Sequence, residues 1–236
     1  MEADPLKLEQ TNLELVAPHY PQFQRVLIHQ ITNHLNPSQS KPINVLQIRH
    51  AAGTTTRQIL AASPHLSVTI LEDRIDVAEQ VALSLNTQSG QSRASVLHAD
   101  LVQFSEPVLY PDYQVVMAVE LFANFSAKDR DLAAETAYGK LPIGGIFIYA
   151  GTIAHDDPND HSAAYTEQKM AFGNFDDAYG SIKRAHWNAE YERGNENKIT
   201  ESGLFALAQA AGFSGPDCRF VYRRRMEAIF VAIKTR

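Results

Sequence analysis

The chain has 236 residues, enough for one large domain but not for two independent cores, since a domain takes about 100–200 residues. Hydrophobic residues make up 44% and charged residues 20%, with 12 glycines and 11 prolines, which excludes collagen-like, low-complexity and wholly disordered chains. A net charge of -6 gives no global attraction to a phosphate backbone or an anionic membrane, and the single cysteine, Cys218, excludes an intramolecular disulfide and a multi-cysteine zinc site.

A cytoplasmic protein working on a small molecule, without nucleic acid or membrane, is therefore expected, and a homodimer is left open. Met1 to Gln10 carries Glu2, Asp4, Lys7 and Glu9, too polar for a secretory signal. The apolar runs fall far short of the roughly 20 residues that cross a bilayer.

Taken in chain order, Phe23, Val26, Leu27, Ile31 and Leu35 recur at three- and four-residue spacing and predict an amphipathic helix closed at Asn36-Pro37. The period then changes. Ile43 to Ile48 is a short apolar run that predicts a strand, Ala51-Ala52-Gly53 a small-residue turn, and Thr54 to Ala62 a helix. Val68 to Leu71 predicts a second strand ending at Glu72-Asp73, and Val77, Ala78, Val81, Ala82 and Leu85 a second covering helix. Asn86 to Ser92 reads as a polar loop.

Further strands are predicted over Ala94 to Leu97, Val115 to Val119 and Ile146 to Ala150, with a helix around Leu132 to Ala137 before the turn at Leu141 to Gly145. The stretch from Gly151 to Lys198 is polar, with Tyr165, Phe172, Phe175, Tyr179, Trp187 and Tyr191 interspersed, and is read as one or two helices forming a lid. Thr200 is placed as an N-cap and Gly212 as a left-handed C-terminal glycine around the stripe Leu204, Leu207, Ala208 and Ala211. Arg219 to Tyr222 and Ala228 to Ile233 close the chain as a hairpin, with Arg223 to Arg225 in a solvated turn.

This alternation of apolar strands with helices argues for an α/β, Rossmann-like, doubly wound and mostly parallel sheet, covered on both faces. Ligands of such sheets bind at the carboxyl ends of the strands. The expected division is an N-terminal helical arm over 1–42, a core over 43–151 and 199–236, and a lid over 152–198, all in one domain.

The order of these features resembles the class I S-adenosylmethionine (SAM) dependent methyltransferases from about Ile43 to Lys234. The family's first strand ends in V-L-[DE]-x-G-x-G-x-G; here the stretch is Val45-Leu46-Gln47-Ile48-Arg49-His50-Ala51-Ala52-Gly53, in which only the last glycine survives. Glu72 falls on the acidic residue that ends the family's second strand and binds both ribose hydroxyls, with Asp73 as its alternate. His98-Ala99-Asp100-Leu101 resembles the adenine-binding motif, Asp100 accepting from the amino group and the Leu101 amide meeting the ring. Ala118 and Val119 match the end of the fourth strand, beside the methionine part of SAM. Leu141-Pro142-Ile143-Gly144-Gly145 resembles the L-x-P-G-G turn into the fifth strand. The resemblance implies seven strands with an antiparallel closing hairpin, and SAM as cosubstrate.

The departures bear on chemistry. Arg49 and Ala51 replace glycines, which would let the backbone lie against a ligand. Arg49 either pairs with the SAM carboxylate or fills the pocket and abolishes binding, and His50 shares that turn. Gln47 replaces the acid that holds the amino group of SAM as an ammonium; without that charge the amine's pKa falls. This supports an alternative to methyl transfer, closure of the amine onto its own γ-carbon with release of methylthioadenosine. A third reading keeps the fold but loses SAM and acts as a partner or on another ligand.

For the acceptor, His155 is the expected base, while Trp187 and the lid tyrosines offer an aromatic wall to a cation. Tyr20 either covers the cofactor or staples its own helix. His155, Asp156, Asp157, Asp160 and His161 cluster, but their spacing fits no standard ligand pattern, so no metal is expected.

Overall fold

A computed structural model of the chain describes residues 19–34, 43–48, 54–89, 93–105, 113–119, 125–171 and 197–236. In chain order the elements are α1 (Tyr20–His34), β1 (Ile43–Ile48), α2 (Thr54–Ala62), β2 (Leu66–Glu72), α3 (Ile75–Ser89), β3 (Ala94–His98) and α4 (Leu101–Ser105). They continue with β4 (Val115–Val119), α5 (Ala127–Lys140), β5 (Ile146–Thr152), α6 (Pro158–Ala171), α7 (Glu201–Ala211), a short 3₁₀ turn at Gly215–Asp217, β6 (Cys218–Arg224) and β7 (Glu227–Ile233).

The seven strands form one sheet in the order β3-β2-β1-β4-β5-β7-β6. The first five are parallel and β7 runs antiparallel between β5 and β6. This is the expected α/β Rossmann-like sheet with its closing hairpin. The chain winds outward from β1 to β3, returns to β4, and winds out the other way, so the topological switch lies between β1 and β4.

Side-chain alternation along the strands builds two cores. Val45, Val68, Val115, Met117, Ile148 and Val231 face α1, α2 and α3; Leu46, Leu71, Val116, Phe147, Tyr149 and Phe230 face α4, α5 and α7. A strand covered on both faces cannot alternate apolar with polar, which is why β4 reads Val-Val-Met-Ala-Val and is buried throughout. The apolar stripe of α1, Phe23, Leu27 and Ile31, is buried in the first of these cores.

Two turns depend on left-handed backbone. Gly144 has φ 85° in the turn into β5, where its amide donates to Lys234 O at 2.7 Å. Gly212 has φ 112° and closes α7, with its amide against Ala208 O and Gln209 O.

Two expectations need correction, and one short element was not anticipated. Helical backbone runs on through Asn86 to Ser89, because nothing before Gly90 breaks it; polarity alone does not end a helix. Residues 101–105 form α4, a turn too short for periodicity to reveal. The hairpin turn shrinks to Arg225 and Met226, and Arg223 lies on β6, directed into the protein rather than solvated.

Candidate functional site

The carboxyl ends of β1 to β5 share one edge of the sheet, and Glu72 ends β2 there. Its side chain is 0% exposed. Oε1 accepts from the Arg74 amide at 3.1 Å and from Arg74 Nε at 3.3 Å, but the Arg74 side chain is 63% exposed, so solvent weakens the ion pair. Among the described residues, Oε2 is buried without a hydrogen-bond partner. A buried carboxylate oxygen left unpaired costs stability, and that cost is recovered by a ligand that donates to it. Two neighbouring hydroxyls are suitable donors.

The strands beside Glu72 are in register. Glu72 is paired with His98 of β3, Glu72 O accepts from the Ala99 amide at 3.2 Å, and the His98 ring Nε2 lies 3.2 Å from Asp73 O. Asp100 is exposed and its carbonyl accepts from the Phe104 amide at 3.0 Å, so it opens α4. Leu101 is buried among the α4–α5 core residues, as is Ala118. Val119 ends β4 on the opposite face.

Gln47 sits on β1 between Ile70 and Met117 of the neighbouring strands and is 1% exposed. Its Oε1 accepts from the Thr56 hydroxyl at 2.8 Å, so the amide oxygen is committed to α2. Next to it, Gln24 Nε2 donates to the Tyr20 hydroxyl at 2.7 Å and to Thr55 Oγ1 at 3.1 Å. Tyr20 also stacks on Phe23. The Gln24 amide thus holds the Tyr20 hydroxyl and ties α1 to the first turn of α2. Gln24, Thr55 and Thr56 escaped the sequence reading because a polar residue facing a core leaves no periodic signal.

On the β5 side, Arg223 reaches from β6 to two other elements. Its Nε donates to Glu201 Oε1 at 2.6 Å, at the start of α7. Its Nη2 lies 3.1 Å from both ring nitrogens of His155; equal distances place Nη2 over the ring rather than in line with either nitrogen. His155 is therefore packed under an arginine, a partner that its sequence neighbours do not suggest. Asp156 accepts from Ser202 Oγ at 2.7 Å, and that bond, first among the causes, lowers its pKa. Asp157 Oδ1 accepts from the Asn159 and Asp160 amides at 2.7 and 3.2 Å, capping α6. Among the described residues no three His, Cys, Asp or Glu side chains are gathered to hold a metal ion.

Lys198 is half-buried, and burial lowers its ammonium pKa to about 7. Sequence gave no signal for it, because desolvation is a property of its surroundings. Arg49, His50, Ala51, Gly53 and Trp187 lie outside the described residues.

No protein-family model matches the chain, and no curated protein matches it. Solved structures do. PigF with SAH superposes with a TM-score of 0.61 at 16% identity, over 91% of this chain and 57% of that one. Human N-acetylserotonin methyltransferase in complex with SAM gives 0.61 at 14% identity, over 98% and 56%. An O-methyltransferase family protein from Burkholderia thailandensis gives 0.61 at 14% identity, over 96% and 59%. This chain thus spans less than two thirds of the length of each. At such identities the likeness speaks for architecture, which agrees with the strand order and the strand-end edge: the chain has the fold of the class I SAM-dependent methyltransferases.

Proposed function

We propose that the protein is a SAM-dependent transferase that methylates a small-molecule metabolite in the cytoplasm. The observation that carries this reading is the buried Glu72 Oε2 at the end of β2, which has no hydrogen-bond partner among the described residues, in a fold shared with structures solved with SAM or SAH.

SAM supplies a methyl group on a positively charged sulfur. In this reading Glu72 accepts from the ribose hydroxyls, with Asp73 beside it. Asp100 accepts from the adenine amino group and the Leu101 amide, at a helix start where amides lack intrahelical partners, meets the ring. Ala118 and Val119 flank the methionine part. Gln47 of β1, with Arg49, His50, Ala51 and Gly53 after it in the chain, takes the amino acid end. Tyr20 and Trp187 enclose the site, with His155 on its β5 side. Most of the rate acceleration then comes from holding the acceptor in line with the methyl group.

Gln47 favours a second reading with the same cosubstrate. Its amide carries no charge and its oxygen is engaged by Thr56, so it supplies no carboxylate to keep the SAM amine protonated. The free amine would attack its own γ-carbon, forming a C–N bond, while the C–S bond breaks, methylthioadenosine leaves and the amine proton passes to water.

Calorimetric titration with SAM tests both. No heat and no thermal stabilisation would overturn them together and leave a protein that kept the fold without the cosubstrate. Where SAM binds, incubation with SAM alone separates the two: methylthioadenosine indicates cyclisation, whereas S-adenosylhomocysteine formed only when acceptors are added indicates methyl transfer.

A further inference from the structure

Arg223 is a second place where a buried polar atom is left over. Among the described residues, its Nη1 is buried without a hydrogen-bond partner, and its side chain is 20% exposed. The rest of the guanidinium is engaged. Nε donates to Glu201 Oε1 at 2.6 Å, and Nη2 stands over the His155 ring. A buried donor without a partner costs stability, and arginine cannot shed a proton to escape that cost. A ligand oxygen that accepts from Nη1 recovers it.

The strand register fixes where this donor lies. Arg223 pairs with Ala228 of β7, and Ala228 pairs with Gly151, one residue before the end of β5. The guanidinium then meets His155, three residues beyond that end. It is therefore at the carboxyl edge of the sheet, on the side of α7, whose first turn supplies Glu201. The His155 contact brings it back toward β5, and β5 neighbours β4 at a strand spacing of about 4.8 Å. In the methyl-transfer reading the end of β4 takes the methionine part of SAM. An acceptor that meets the methyl group there extends toward Arg223 with its far end, not with the atom that is methylated.

Charge selects the kind of ligand atom. Glu201 neutralises the guanidinium directly. Asp156 adds a second carboxylate, whose pKa is lowered first by its bond from Ser202 and also by Arg223. Two carboxylates beside one guanidinium disfavour a further anion. A carbonyl oxygen brings lone pairs, no charge and no proton of its own to place.

We propose that Arg223 Nη1 anchors an uncharged carbonyl oxygen at the far end of the acceptor, so that the acceptor class is a ketone, ester or amide rather than an acid. The proposal rests on the methyl-transfer reading and narrows its acceptor. Arg223 binds and makes no bond to the reacting atoms, so its contribution is to hold the acceptor in line with the methyl group.

The test titrates the full-length chain, with and without SAH, with three matched probes: para-hydroxyacetophenone, para-ethylphenol and para-hydroxybenzoate. Saturation-transfer NMR reads their affinities, and calorimetry reads SAM binding in parallel. The ketone should bind several-fold tighter than either of the others. Arg223→Lys keeps a cation beside Glu201 but lacks the forked donors, so it should erase that advantage while SAM affinity holds. Glu201→Gln, which leaves Arg223 in place, is the second variant and should shift the preference several-fold toward para-hydroxybenzoate. A ketone that binds no tighter than para-ethylphenol, a benzoate that binds tightest to the unaltered chain, or a preference that both variants leave unchanged overturns the assignment. Absence of SAM binding overturns the transferase reading itself, and the calorimetry reports that separately from the probe titrations.

Discussion

At the scale of single residues, Glu72 and Lys198 are ionisable groups held where solvation is poor, and each carries a measurable cost. Replacing Glu72 with Gln should weaken SAM binding by about 1–3 kcal/mol, the scale for hydrogen bonds to a charged group, while the ligand-free protein becomes no less stable. Calorimetry and thermal melting together check this, and unchanged affinity would show that β2 does not end in the ribose site. For Lys198 the folded value of about 7 lies below the 10.5 of a solvated lysine. Between those values the unfolded chain binds more protons, so stability rises with pH across that window and the penalty is complete below it. Lys198→Met should therefore stabilise the fold by about 1–3 kcal/mol below pH 7, after allowance for partial exposure, with the gain fading as pH approaches 10.5. Urea unfolding at several pH values reads this directly. The position of Glu72 was legible in the sequence, since an acid after a β-branched run marks a strand end. The orphaned oxygen was not, because it depends on what other elements fail to offer.

At the scale of elements, α7 shows how local chemistry and neighbours combine. Thr200 Oγ1 accepts from the Gly203 amide at 3.0 Å and Gly212 closes the helix, both as its sequence pattern predicts. The structure adds that a Cβ on Gly212 would meet Tyr138 Cζ at 2.9 Å. Gly212→Ala therefore combines left-handed strain, about 1–2 kcal/mol, with an aromatic clash. A loss of about 2–3 kcal/mol is expected, measured as a lower urea midpoint. Arg223 is the contrary case. Three consecutive arginines before a turn look solvated, yet β6 and β7 pair through Arg223 and the small, buried Ala228. Glu201 and His155 are brought to that guanidinium from elsewhere in the chain, and nothing in the Arg223 neighbourhood of the sequence announces them.

At the scale of the whole molecule, the two-sided sheet is a platform whose carboxyl edge collects residues from β1 to β5 and from the start of α7. SAM at about 100 times its dissociation constant should stabilise the folded state by about 2.7 kcal/mol, seen as a rise in melting temperature that Glu72→Gln reduces. By itself the sequence determined the α/β class, the strands and the closing hairpin, because a strand buried on both faces must be written as an apolar run, and turns and caps need particular residues. It also placed Glu72, Asp100 and Ala118 at strand ends. Only the tertiary structure decided that Gln47 is tied to Thr56, that Tyr20 is held by Gln24, that His155 lies against Arg223, and that Lys198 is desolvated. Each of these is a contact or a burial between elements distant in the chain, and side-chain solvation and pairing are set by such neighbours rather than by local pattern.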